Sequence, residues 1–157
     1  FAMIINDKIF GTLYHECGWT NYTTINFFGN ELKIDLIVEG DEDGLFDQEQ
    51  YNAYTLFMQK WEQVQKSLLH HILAYYQKKR RELGYDIEPN EDYPLVETTD
   101  EILKMINLDG LIVPYGDIFE GRDIGLSFHC TWDDENGLGV RILDEKVAEV
   151  GYRDVVI

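Results

Sequence analysis

Cysteine, cationic side chains and long apolar runs are all scarce in this chain, and each shortage removes a class of protein. Two cysteines, Cys17 and Cys130, make no disulfide framework and suit a reducing compartment. The 13 Lys and Arg are outnumbered by 30 Asp and Glu, which leaves a formal net charge of −17. Such a chain repels phosphates and has few cations with which to release their counterions. Nucleic acid is therefore not an expected partner, and neither is an anionic membrane surface. No apolar run approaches the roughly 20 residues of a membrane-spanning helix. The first residues carry neither a basic n-region nor an apolar h-region, so the expected compartment is the cytoplasm. Phe1 and Ala2 precede Met3, which reads as a natural start; the pair reads as an expression scar, and residues 3–157 as a single domain.

What is present describes a folded protein. Apolar residues make up 45% of the 157 residues and aromatics 13%, enough for a true core. Met3 to Leu13 reads as one strand with a bulge near Gly11. Tyr22 to Phe28 and Glu31 to Val38 read as a hairpin turning at Gly29-Asn30. Asp47 and Gln50 form a capping box at the head of a long helix over 48–83. Its apolar stripe is Tyr51, Tyr54, Met58, Trp61, Val64, Leu68, Ile72 and Tyr75. Lys78 to Arg81 and Gly84 suit its C-terminus. Thr98 and Glu101 cap a short second helix. Leu108 to Tyr115 reads as an edge strand because of Pro114. Ile124, Leu126, Phe128, Cys130 and Trp132 then share one strand face, and Asn136-Gly137 and Asp144-Glu145 turn a β-meander. The expected class is α+β: an antiparallel sheet with one long and one short helix on one face.

The charge is unevenly spread. Residues 1–46 balance to −6 and 85–157 to −13, whereas the long-helix segment 47–84 balances to +2. Strands and loops thus carry the negative potential, which suits docking of a basic protein.

No recognisable catalytic or metal-binding motif occurs. His15, Cys17, His129 and Cys130 have zinc-like chemistry, but adjacent strand residues such as His129 and Cys130 point to opposite faces. His70 and His71 do not share a helix face. Asp41 to Glu49 fails the calcium-loop template, with Phe46 and Asn52 where Gly and Glu belong. Ser127 lies in Gly-Leu-Ser-Phe-His, which is not a nucleophile elbow. No metal or cofactor is expected. Asp133, Asp134 and Glu135 could pair carboxylates for acid–base work. Trp61 and Trp132 read as core. Trp19 follows Gly18 in an apparent loop and reads as the exposed tryptophan, a contact anchor. The candidate partner-binding set is therefore Trp19, Trp132, Asp133, Asp134 and Glu135.

The C-terminal segment reads Gly125-Leu126-Ser127-Phe128-His129-Cys130-Thr131-Trp132-Asp133-Asp134-Glu135-Asn136-Gly137-Leu138-Gly139-Val140, then Val147-Ala148-Glu149-Val150-Gly151. It resembles the C-terminal hairpin of a bacterial family of domains of unknown function. His is common there where this chain has Asn136. The resemblance implies a bacterial cytosolic origin and supplies no activity. Small acidic α+β proteins of this kind are also similar in type to immunity proteins that mask cationic toxins. The expected function is a non-enzymatic, acidic protein-binding domain. A metal-assisted hydrolase using the Asp133/Glu135 turn and an oligomer-forming structural domain are the alternatives; the sequence leaves the oligomeric state open.

Overall fold

Short reversals between alternating apolar segments give this chain its strands. In the computed structural model, which describes residues 3–157, eight strands form one sheet in chain order. They are β1 (Ile4–Asp7), β2 (Gly11–His15), β3 (Trp19–Phe27), β4 (Asn30–Val38), β5 (Ile106–Val113), β6 (Asp123–Cys130), β7 (Leu138–Leu143) and β8 (Lys146–Gly151). The helices are α1 (Gln48–Gln59), α2 (Trp61–Glu82) and α3 (Thr99–Leu103), and a 3-10 turn spans Arg153–Val155. Phe1 and Ala2, read as a scar, lie outside the described residues. All neighbours pair antiparallel except β4 and β5, which run parallel. The class is α+β.

The N-terminal segment is a hairpin rather than one bulged strand. The Asp7 carboxylate accepts from the Ile9 and Phe10 amides at 2.9 Å each, and this local turn reverses the chain. Phe10 is buried among Phe46, Tyr51 and Tyr54. The β3–β4 turn falls one residue earlier than expected. Phe27 pairs with Asn30, and Phe28 and Gly29 take positive φ values of 49° and 86°. Phe28 tolerates this because its amide donates to Gln65 Oε1 at 2.8 Å.

The expected long helix is two helices interrupted at Lys60. No Pro or Gly causes the break. The Trp61 indole donates to Asn26 O at 2.6 Å and its ring stacks on Phe27, which draws the chain toward β3. In α2 the expected stripe is buried at Trp61, Val64, Leu68 and Ile72, with Tyr76 in place of Tyr75, whereas in α1 the buried residues are Gln50, Ala53 and Phe57, one position before the expected Tyr51, Tyr54 and Met58. β5 is no edge. It lies between β4 and β6, and Pro114 falls just past its end. Its apolar residues point to both faces, as a strand buried on both sides requires.

The sheet curls around the helices. Phe27 and Phe128 lie 6.1 Å apart by ring centroid, although two strands separate β3 from β6, a span of roughly 14 Å in a flat sheet. Lys60 Nζ likewise reaches Glu145 at 3.7 Å, on the β7–β8 turn, while its neighbour Trp61 is bonded beside the β3–β4 turn. On the outer face, the C-terminal segment lies across β6 and β7. Gly125 and Gly139 make room for it: a Cβ at Gly139 would sit 2.7 Å from Tyr152 O, and one at Gly125 2.8 Å from Val156 Cβ. No helix among the described residues is long and apolar enough to cross a membrane.

Candidate interaction surface at the acidic end of the sheet

Strand directions gather four connections at one end of the sheet: β2–β3, β4–α1, β5–β6 and β7–β8. They carry the exposed acids Glu16, Asp41, Glu42, Asp43, Asp117, Glu120 and Asp144. The cations here include Arg122, which Glu145 grips at 2.7 and 3.0 Å, Lys60, whose Nζ lies 3.7 Å from Glu145, and Lys146 at the head of β8. A buried peg organises this end. Trp19, expected in a loop and exposed, begins β3 and is 0% exposed. Its indole donates to Asp41 O at 2.8 Å. Gly40 lets the acidic loop fold onto the ring, because a Cβ there would lie 3.1 Å from it, and Gly44 turns the loop past the ring with a φ of +70°. The loop joins its neighbour in turn. Tyr115 Oη donates to Asp41 Oδ1 at 2.9 Å, and the Gly116 amide donates to Asp47 Oδ2 at 3.2 Å. The bond to Asp41 raises the Tyr115 hydroxyl above the usual phenol range.

Apolar side chains stand exposed among these acids: Leu45 at 75%, Ile118 at 55% and Phe119 at 40%. Sequence reasoning missed Leu45, Ile118 and Phe119. The strand and helix patterns leave them out, and only an apolar residue inside a Gly/Asp-rich loop marked them.

The other candidates lie at the opposite end, on the β6–β7 turn. Trp132 is 6% exposed and its ring meets Tyr76 edge-on at 4.8 Å, so it belongs to the core. Asp133 turns inward: its carboxylate accepts from the Asn136 amide at 3.1 Å and from Asn136 Nδ2 at 2.9 Å. Asp134 and Glu135 are exposed. Asp133 is thus engaged in holding the turn. Trp19 is at the far end, so the structure does not bring the five candidates together.

Beside that turn is a polar cluster not anticipated from the sequence. A bulge in β5 at Asp109 aims this residue outward. Asp109 Oδ2 lies 3.0 Å from His129 Nε2 and 3.4 Å from an Arg153 guanidinium nitrogen. That same nitrogen faces His129 Nδ1 at 3.2 Å and donates to Phe128 O at 3.0 Å. A guanidinium only donates, so Nδ1 accepts and Nε2 carries the proton toward Asp109. Arg153 Nε donates to Ser127 Oγ at 3.0 Å. Arg153 thereby engages the buried Ser127 hydroxyl, and the cluster works as a clamp on the C-terminal segment. Burial pushes the Cys130 thiol up to about 11, which leaves it inert.

No curated protein and no solved structure matches the chain. A family model does, over residues 9–157, from the β1–β2 turn through the C-terminal clamp. The chain belongs to the family described as a domain of unknown function (DUF6985).

Proposed function

We propose that this protein is a non-enzymatic binding domain that docks a basic protein against the acidic end of its sheet. The observation that carries the reading is the coincidence, on one set of interlocked loops, of seven exposed acids with exposed Leu45, Ile118 and Phe119. The field of the acids would steer a cationic partner, and the apolar groups would supply contact area once it arrives. An immunity-type inhibitor of a basic toxin in a bacterial cytosol is the finer form of this proposal. In it the protein masks the toxin and performs no chemistry itself. Trp19 then acts from inside, by holding the acidic loop. Asp134 and Glu135 add negative potential at the other end.

The test is capture of a partner, followed by titration of that purified partner in rising salt. The expected partner is basic, and its affinity falls as salt rises. Reversing Glu42, Asp43, Asp117 and Glu120 to Lys abolishes binding, whereas reversing Asp134 and Glu135 weakens it far less. A partner indifferent to salt and to the first set of reversals would defeat the proposal.

A further inference from the structure

The hydrogen bonds that hold the β3–β4 turn leave one donor unused. Gln65 is 7% exposed, and its Oε1 accepts from the Phe28 amide at 2.8 Å. That bond needs only an acceptor. The other half of the side chain, Nε2, has no partner among the described residues, although an enclosed amide group ordinarily finds one. Gln65 lines a cleft between this turn and the start of α2. Phe28, Met58 and Trp61 supply apolar wall there, and the Trp61 indole N–H is already spent on Asn26 O. Because the rest of Gln65 is enclosed, the cleft is where an outside group meets Nε2.

Two further features favour an acceptor that carries negative charge. Lys66 stands exposed on the rim, beside Gln65 in sequence, and forms no ion pair among the described residues. No side chain caps the start of α2, so the positive end of this 22-residue helix acts on the same side. Both lie in segment 47–84, which balances to +2 in a chain of −17. One acid opposes them: Glu62, exposed on the same rim. We propose that this cleft binds a carboxylate carried on an apolar or aromatic body. Gln65 Nε2 and Lys66 Nζ take the carboxylate, and Phe28, Met58 and Trp61 take the body. A free organic acid and the C-terminal residue of a peptide both present this chemistry. The site lies at the β3–β4 turn, away from the acidic loops, so it is independent of the docking proposal.

Phenylacetate is the probe, read by the side-chain amide resonances of Gln65 and the backbone amide of Phe28 in isotope-labelled protein. Phenylacetamide keeps the body and loses the charge; acetate keeps the charge and loses the body. The expected result is a saturable shift with phenylacetate and binding about tenfold weaker for each comparison compound. Gln65→Glu keeps the acceptor for Phe28 and removes the donor, so the Phe28 resonance stays in place while affinity for the probe falls by about tenfold or more. Lys66→Gln, on the surface and without effect on folding, lowers affinity about threefold. Glu62→Gln removes the opposing charge and raises it. Tighter binding of acetyl-glycyl-phenylalanine than of phenylacetate assigns the carboxylate to a peptide terminus, and the reverse order to a free acid. No saturable shift with either carboxylate, equal binding of phenylacetate and phenylacetamide, or undiminished affinity in both Gln65→Glu and Lys66→Gln would overturn the assignment. Weaker binding in Glu62→Gln overturns it as well, because that result belongs to a ligand with a cationic group.

Discussion

Gly139 has an ordinary backbone, yet no side chain fits there, because the Tyr152 carbonyl would lie 2.7 Å from its Cβ. A backbone oxygen cannot step aside as a flexible side chain does. Gly139→Ala is therefore expected to destabilise the fold by about 1–3 kcal/mol, through overpacking and loosening of the C-terminal segment. Urea denaturation measures this directly; an unchanged midpoint would contradict the close approach. The two thiols should also differ sharply. Cys17 is exposed and Cys130 is buried, with its ionisation pushed up to about 11. A thiol-reactive dye at about pH 8 should label one cysteine in the native protein and the second only after unfolding. At this scale the sequence was readable where strict alternation operates: Ile124, Leu126, Phe128 and Cys130 all point inward. Trp19 was misread because the residues that bury it, Gly40 and Gly44, are distant in the chain. A local window contains a tryptophan after a glycine and nothing to say that a loop folds over it.

Helix α1 is started by a reciprocal pair: the Gln50 amide donates to Asp47 Oδ1 at 2.8 Å and the Asp47 amide to Gln50 Oε1 at 3.1 Å. Asp47 also holds the β5–β6 loop through Gly116. Asp47→Ala should thus cost about 1–2 kcal/mol, more than a cap alone, while Asp47→Asn keeps an acceptor and recovers most of it. Thermal melts of the two variants check the order. Both helix starts, Asp47 and Thr98, were legible because a cap writes itself into a four-residue spacing. The interruption at Lys60 was not, since its cause is a bond from Trp61 to a strand far back in the chain. Pro114 misled for a simpler reason. It removes a ladder donor only inside a strand, and it falls one residue beyond β5.

The whole molecule carries a net charge of −17, so self-repulsion works against compactness. Raising NaCl from about 20 mM to about 300 mM shortens the screening length from above 20 Å to below 8 Å, and should raise the melting temperature. A flat response would mean that local ion pairs already balance the charge. Alkaline pH acts in the opposite direction. Tyr51 and Tyr76 are raised from 10.0 to about 12 and Cys130 from 9.0 to about 11, by burial first of all, with the Asp7 hydrogen bond adding to Tyr51. The folded state holds these protons where the unfolded chain releases them. Their contribution is complete below about pH 9 and fades as pH climbs toward 12, so denaturation midpoints should fall across that window. The uneven charge of the segments was visible in the sequence. That four connections with seven exposed acids share one end of the sheet was not, because strand direction decides which loops are neighbours.

One pairing separates this sheet from a simple meander. β1 to β4 and β5 to β8 are each joined by short reversals, and only the parallel β4–β5 ladder links the two sets of four. The chain that makes this link runs through all three helices, so its closure carries most of the entropy of long-range contact. The molecule is thus two locally encoded halves that share one strand ladder, reinforced by the Phe27–Phe128 contact and the Tyr115–Asp41 bond. Severing the backbone between α2 and α3 would leave each half with its own hairpins intact, and the two pieces, mixed in equal amounts, should find each other and rebuild the sheet.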